Sequence, residues 1–156
     1  TVVGGSTEKI PFNTFLCSKH KYKDFELSFQ VRLKDGAGNS GIQVRSEIFD
    51  MPKFAVKGPQ CDIGAGYWGS LYGEHFGGMM KKAPEDKVGA KLMAKDFNEY
   101  SIRVVGKKVT ITVNGVAAVD EEFEKLPDTG IIAFQVHAGG PMEVTFKDIM
   151  FKDLSK

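Results

Sequence analysis

Three short segments of the chain place bulky hydrogen-bonding side chains two residues apart: Gln43 and Arg45, Gln60 and Asp62, and Gln135 and His137. In extended backbone such pairs share one face, where a short Ser, Thr or Lys would serve if the face were only solvated. Ile132, Phe134 and Val136 claim the opposite side of their segment, so Gln135 and His137 must emerge together. If the three segments are neighbouring strands, amides, a guanidinium, a carboxylate and an imidazole converge on one surface. Such a surface suits a carbohydrate, whose hydroxyls need planar donors and acceptors in fixed positions. The C–H face of a sugar ring also packs on aromatic rings. These are at hand in "GPQCDIGAGYWGSLYGEHFGG", residues 58–78, which brings Tyr67, Trp68 and Tyr72 together with Asp62 and Glu74. Each residue also has a plainer reading: Trp68 as a core anchor, His137 as a surface or core histidine, Arg45 as an ion-pair partner of Glu47 or Asp62.

Other catalytic signatures are absent. The chain has no Gly-x-Ser-x-Gly elbow, no Walker loop and no His-Glu-x-x-His, which argues against a serine hydrolase, an NTPase or a zincin. Retaining glucanases on jelly-roll folds carry a Glu-x-Asp-x-x-Glu strand motif with carboxylates about 5 Å apart. "SEIFDMPKF" does not reproduce it, leaving Asp62 and Glu74 as the candidate carboxylate pair. Asp62, Glu74 and His137 are acceptable ligands for a divalent metal, but no spacing demands one, and no cofactor is indicated. Cys17 and Cys61 lack Cys-x-x-Cys spacing and are read as either one disulfide or two buried thiols.

The elements that must position these residues are strands. In "FELSFQVRL" Phe25, Leu27, Phe29, Val31 and Leu33 alternate strictly with polar residues, as in a half-buried strand. "DGAGNSG" interrupts with three glycines and "IQVRSE" resumes with Ile42 and Val44 inward. Residues 99–120 read as a meander turning at Gly106-Lys107 and at Asn114-Gly115, a strong hairpin signal. Two more strands, Ile131 to His137 and Met142 to Phe151, flank Gly139-Gly140-Pro141. In the second the inward set shifts from Met142, Val144 and Phe146 to Ile149 and Phe151, which predicts a bulge near Asp148. Only residues 85–97 hold a helical pattern, weakened by Gly89, and they are read as loop with one turn of helix. The sum is an all-β fold: a two-sheet antiparallel β-sandwich of jelly-roll type.

With 156 residues, the chain suits a single domain, residues 1–156. At 21 basic against 20 acidic side chains the net charge is +1, so no nucleic-acid partner is expected. No apolar run approaches the roughly 18 residues of a spanning helix, so no membrane partner is expected either.

Five blocks carry a resemblance over some 140 residues: "IPFNTFLCSKHKYKDFELSFQVRL", "GNSGIQVRSE", "GPQCDIGAGYWGSLYGE", "VNGVAAVD" and "IIAFQVHAGGPMEVTFKDI". In order, they are similar to the blocks of the bacterial 3-keto-disaccharide hydrolase domain family, which has a concanavalin A-like jelly-roll fold. The resemblance implies action on glycosides whose C3 hydroxyl has been oxidised to a ketone, in a periplasmic or extracellular setting. A C3 ketone acidifies the proton on C2, so a general base can remove it and expel the C1 oxygen by elimination, after which water adds. His137, Asp62 or Glu74 is the expected base; Arg45, Gln60 and Gln135, with Gln43, Trp68 and Tyr72, are expected to hold the sugar. Two stretches depart from the family pattern: Phe12 stands where arginine is common, and His75-Phe76-Gly77-Gly78 stands where basic residues often follow. The alternative to an enzyme is a non-catalytic carbohydrate-binding module or an interaction domain, in either case beside other domains of a larger precursor.

Overall fold

The computed structural model describes residues 1–155 as two six-stranded antiparallel sheets packed face to face. The strands are β1 (Val2–Ser6), β2 (Thr14–Cys17), β3 (Phe25–Leu33), β4 (Asn39–Asp50), β5 (Ala55–Gly64), β6 (Leu71–Glu74), β7 (Gly78–Lys81), β8 (Asn98–Val105), β9 (Lys108–Val113), β10 (Val116–Glu122), β11 (Ile131–Val136) and β12 (Met142–Asp153). One sheet has the order β1-β12-β3-β8-β9-β10, the other β2-β11-β4-β5-β6-β7. Among the described residues the one α-helix, α1 (Glu85–Gly89), is short and lies in the segment read as loop with one helical turn. Among the described residues no helix is long and apolar enough to cross a membrane.

The alternation in β3 does what its pattern implies: Phe25, Leu27, Phe29, Val31 and Leu33 are buried while the residues between them are half-exposed. Phe29 stacks on Tyr100 of β8 at 5.3 Å, and Phe146 of β12 meets both Phe29 and Phe134 of β11 edge-on. These rings join the sheets, with Ile42, Ile63 and Leu71 filling the facing layer. Each such side chain contributes about 2 kcal/mol by leaving water. β8, β9 and β10 form the meander, and Asn114 and Gly115 both adopt positive φ at its second turn. The bulge expected near Asp148 is present: its φ is 53° and the β12–β3 register slips between Lys147 and Met150. The glycine-rich link after β3 does not close a hairpin. It carries the chain from one sheet to the other, because β3 pairs with β12 and β8 while β4 pairs with β11 and β5.

Cys17 and Cys61 are free thiols on opposite faces of one sheet. Cys61 packs in the core between the sheets, whereas Cys17 joins an outer cluster around Val56, Ile131 and Ala133. The sheet backbone lies between them, so the disulfide alternative falls away.

Candidate functional site

The strands that carry Gln43, Gln60 and Gln135 are adjacent, in the order β11-β4-β5. Register fixes two rows across the outer face of this sheet. In one, Gln43 stands opposite Ala133 and Gln60, and Gln60 opposite Tyr72 of β6. In the next, Gly41 stands between Gln135 and Asp62. A Cβ at Gly41 would come within 2.8 Å of the Gln60 side chain, so the missing side chain is what lets that amide lie across β4. Gln60 Nε2 donates to Asp62 Oδ1 at 2.9 Å, and Gln43 Nε2 donates to Ser46 Oγ at 2.9 Å.

These side chains share a face but do not line an open hollow. Gln43, Gln135, Gln60 and Asp62 are only 0, 1, 3 and 6% exposed. Part of the cover is a hydrogen bond across the face: Asn13, just before the edge strand β2, donates through Nδ2 to Glu74 Oε1 of β6 at 3.4 Å. Three strands, β11, β4 and β5, separate β2 from β6 in the sheet, so this contact bridges them. Asn13 Oδ1 also accepts from the Ala138 N–H at 2.7 Å, tying the end of β11 into the same cover.

Beneath it, four buried side-chain atoms have no protein partner: Gln43 Oε1, Gln60 Oε1, and both Oε1 and Nε2 of Gln135. Among the described residues these are the buried side-chain polar atoms left without a hydrogen bond, and all belong to this one face. Unmet groups of this kind each carry a desolvation penalty of about 1–3 kcal/mol, and native proteins hold few of them. All four lie on the face shared by the adjacent strands β11, β4 and β5.

Asp62 is the titratable centre of the face. Burial pushes its pKa up to about 7, opposed by the hydrogen bond from Gln60; Glu74 nearby raises it further, and His137 and Lys82 draw it down. His137 lies one residue beyond β11 and is exposed, with Nδ1 2.8 Å from the Ala138 carbonyl oxygen. Glu74 is mostly buried and also lies 3.8 Å from the exposed His75. Among the described residues no three of His, Cys, Asp and Glu gather as a metal-ligand set.

Two expected site residues lie elsewhere. Arg45 is the extra residue of a bulge: β4 advances from Gln43 to Glu47 while β5 advances only from Gln60 to Lys57. With φ at 43°, Arg45 turns away from the glutamine face. Its guanidinium donates to the carbonyls of Lys23, Gly106 and Pro127 and pairs with Asp24 at 3.0 Å. Neither Glu47 nor Asp62 is its partner. Trp68 is 6% exposed and belongs to the core between the sheets, because the loop after β5 folds inward at that residue. Tyr67 stays on the rim, its ring 4.3 Å from Lys82 Nζ. Of the expected rings, only Tyr72 is placed by register on the glutamine face, half-buried beside Gln60.

Sequence reasoning missed three contributors. Asn13 sat in a quoted block without a role, Gly41 carried no chemistry of its own, and Lys82 gave no signal because it lies 20 residues from Asp62 in a segment without periodicity.

Comparisons with known proteins follow the same lines. Among curated proteins none matches the chain in sequence. Solved structures with a similar fold include a candidate glycosyl hydrolase from Parabacteroides distasonis ATCC 8503, 20% identical, with a TM-score of 0.68 over 97% of this chain and 87% of that one. The carbohydrate-binding module CBM66 from Bacillus subtilis is 15% identical, with a TM-score of 0.69 over 97% of this chain and 91% of the module. A galectin-like protein of unknown function from Bacillus subtilis is 10% identical, with a TM-score of 0.65 over 95% and 80%. At these identities the likeness establishes the jelly-roll sandwich. The family profile of the 3-keto-alpha-glucoside-1,2-lyase-like domain matches residues 1–152, nearly the whole chain. The chain belongs to this carbohydrate-active family.

Proposed function

We propose that the domain cleaves 3-keto-glucosides by elimination at the glutamine face, with Asp62 as the base. The observation that carries this reading is the set of four unpartnered buried amide atoms on Gln43, Gln60 and Gln135 around a carboxyl whose pKa is raised to about 7. Three of those atoms are carbonyl oxygens that can accept from sugar hydroxyls. The fourth, Gln135 Nε2, is a donor suited to the C3 oxygen as negative charge develops there.

In the step envisaged, the Asp62 carboxylate takes the proton from C2 and the freed electron pair moves into the C3 ketone as an enolate. The ketone then re-forms, a C1–C2 double bond appears, and the C1–O bond breaks with its electrons leaving on the aglycone oxygen. His137 or Glu74 protonates that oxygen; water adds across the new double bond, its hydroxyl to C1 and its proton to C2. A base with a pKa near the working pH is half deprotonated there and still strong enough to act. Entry of the sugar requires the long Asn13–Glu74 hydrogen bond to part.

The test is aglycone release from a 3-keto-α-glucoside by the wild-type protein and by Asp62→Asn. Substitution should lower the rate by about a hundredfold or more while glycoside binding persists. Equal rates would refute the assignment of Asp62, and binding without release in the wild type would make the domain a carbohydrate-binding module.

A further inference from the structure

Beside the glutamine face lies a cavity of about 400 Å³ whose walls are mainly hydrocarbon. Phe12 and Phe15 come from the segment entering β2, Phe49 from the end of β4, and Val56 from β5. Asn13 and Glu74 line it as well, so the residues that roof the glutamines also form one wall of this cavity. Phe12 and Phe49 are 40 and 46% exposed, a costly way to place two large rings unless something covers them. Phe49 is held edge-on against His75 at 5.0 Å, and Lys53 Nζ stands 5.7 Å from the Phe12 ring.

Resting on the reading above, that the glutamine face takes the sugar, we propose that this cavity receives the aglycone and that the favoured aglycone is aromatic. A second sugar at this place would need partners for hydroxyls around its whole rim. Asp50, Lys53 and His75 supply polar groups on part of the rim only, the wall of Phe12, Phe15, Phe49 and Val56 offers none, and the amide and carboxylate of Asn13 and Glu74 are turned to each other. A planar ring instead meets three aromatic side chains in stacked or edge-on geometry, the arrangements such rings prefer. Lys53 then provides a cation for the ring face or for an acidic substituent on it. Continuity supplies the rest: a glycosidic oxygen passing Glu74 leads from the sugar's place to this pocket.

The experiment compares phenyl and methyl 3-keto-α-glucosides, measuring Kd by calorimetry with the wild-type pocket, Phe49→Ala and Phe12→Ala, each in a chain that also carries Asp62→Asn so that no glucoside is cleaved. Both substituted rings are exposed at the surface, so folding is retained and is checked by the thermal transition. The wild-type pocket should prefer the phenyl glucoside by about tenfold, and Phe49→Ala should lose most of that preference without weakening methyl glucoside binding. Phe12→Ala should act in the same direction. Methyl glucoside binding with no phenyl preference, or a preference unchanged in both variants, overturns the aromatic subsite and leaves the sugar site standing. Failure of the chain with the wild-type pocket to bind either glucoside overturns the sugar site, and this inference with it.

Discussion

At the scale of the residue, Asp62 is where burial and chemistry meet. Its carboxyl titrates near 7 in the folded protein against an ordinary value of 3.8, because a buried carboxylate loses hydration that its neighbours only partly replace. Between those two values the folded chain holds a proton that the unfolded chain releases. The stabilising contribution is therefore fully present below the unfolded value and is lost as pH rises through about 7, at most about 4 kcal/mol for a shift of this size. Asp62→Asn keeps the acceptor for Gln60 and removes the charge. Its melting temperature should match the wild type near pH 4 and exceed it at pH 8, by calorimetry; parallel pH curves for the two proteins would contradict a raised carboxyl. Aglycone release should follow the same group in the opposite sense, rising with pH as the carboxylate forms around pH 7 and levelling above it. That Gln60 shares a face with Asp62 was legible from parity, since strand alternation dictates the face; that Gln43 and Gln135 join them depended on the adjacency of β11, β4 and β5, which parity does not give. Arg45 and Trp68 were not legible, because parity fails wherever an extra residue or a loop intervenes.

At the scale of the element, the bulge in β4 is the decisive local event. One additional residue flips the side-chain order beyond it, so that Ile48 rather than an odd-numbered neighbour packs with Val56 on the outer face. The flip divides the outer surface of β4 into a polar half, with Gln43, and an apolar half, where Ile48 lies beside Val56; Val56 in turn lines the proposed aglycone pocket together with Phe49. Nothing in "IQVRSEIF" announces it, since every residue there suits a strand of either parity. Arg45 at the bulge links the segment before β3, the β8–β9 turn and the loop before β11 to β4 through three carbonyls and Asp24. Replacing it with Met leaves those acceptors buried or poorly paired and should cost about 3 kcal/mol in urea unfolding. An unchanged midpoint would show that the guanidinium is not the clamp described. The hairpin at Asn114-Gly115 and the bulge at Asp148, by contrast, were legible, because turn residues and a visible change of parity mark them.

At the scale of the whole molecule, two six-stranded sheets bury one large core between them, and the proposed binding face is the outer surface of the second sheet. The class of fold was readable from alternating segments and turn chemistry. The partition of strands between sheets was less so, because a glycine-rich link reads the same whether it closes a hairpin or crosses the sandwich. The burial of the polar face was also hidden, since it depends on Asn13 meeting Glu74 across 61 positions of sequence. The separation of Cys17 and Cys61 by a sheet has a global consequence. Burial raises the pKa of both thiols, that of Cys61 well above its ordinary value, so neither is a ready nucleophile. The melting temperature should be the same with and without reductant, and Cys61 should react with a thiol reagent only on unfolding; a reductant-sensitive transition would contradict the placement of the two sulfurs.

The central claim is that the amides of Gln43, Gln60 and Gln135 are held in reserve for a sugar ring beside Asp62. It is tested most directly by following the four glutamine side-chain amide signals in nitrogen-15 NMR while a methyl 3-keto-α-glucoside is titrated into the Asp62→Asn protein, which binds without cleaving. Signals of Gln43, Gln60 and Gln135 should shift together and saturate at one ligand per chain, while that of Gln30, on the other sheet, stays in place. Saturable binding that leaves those three signals unmoved would contradict the account.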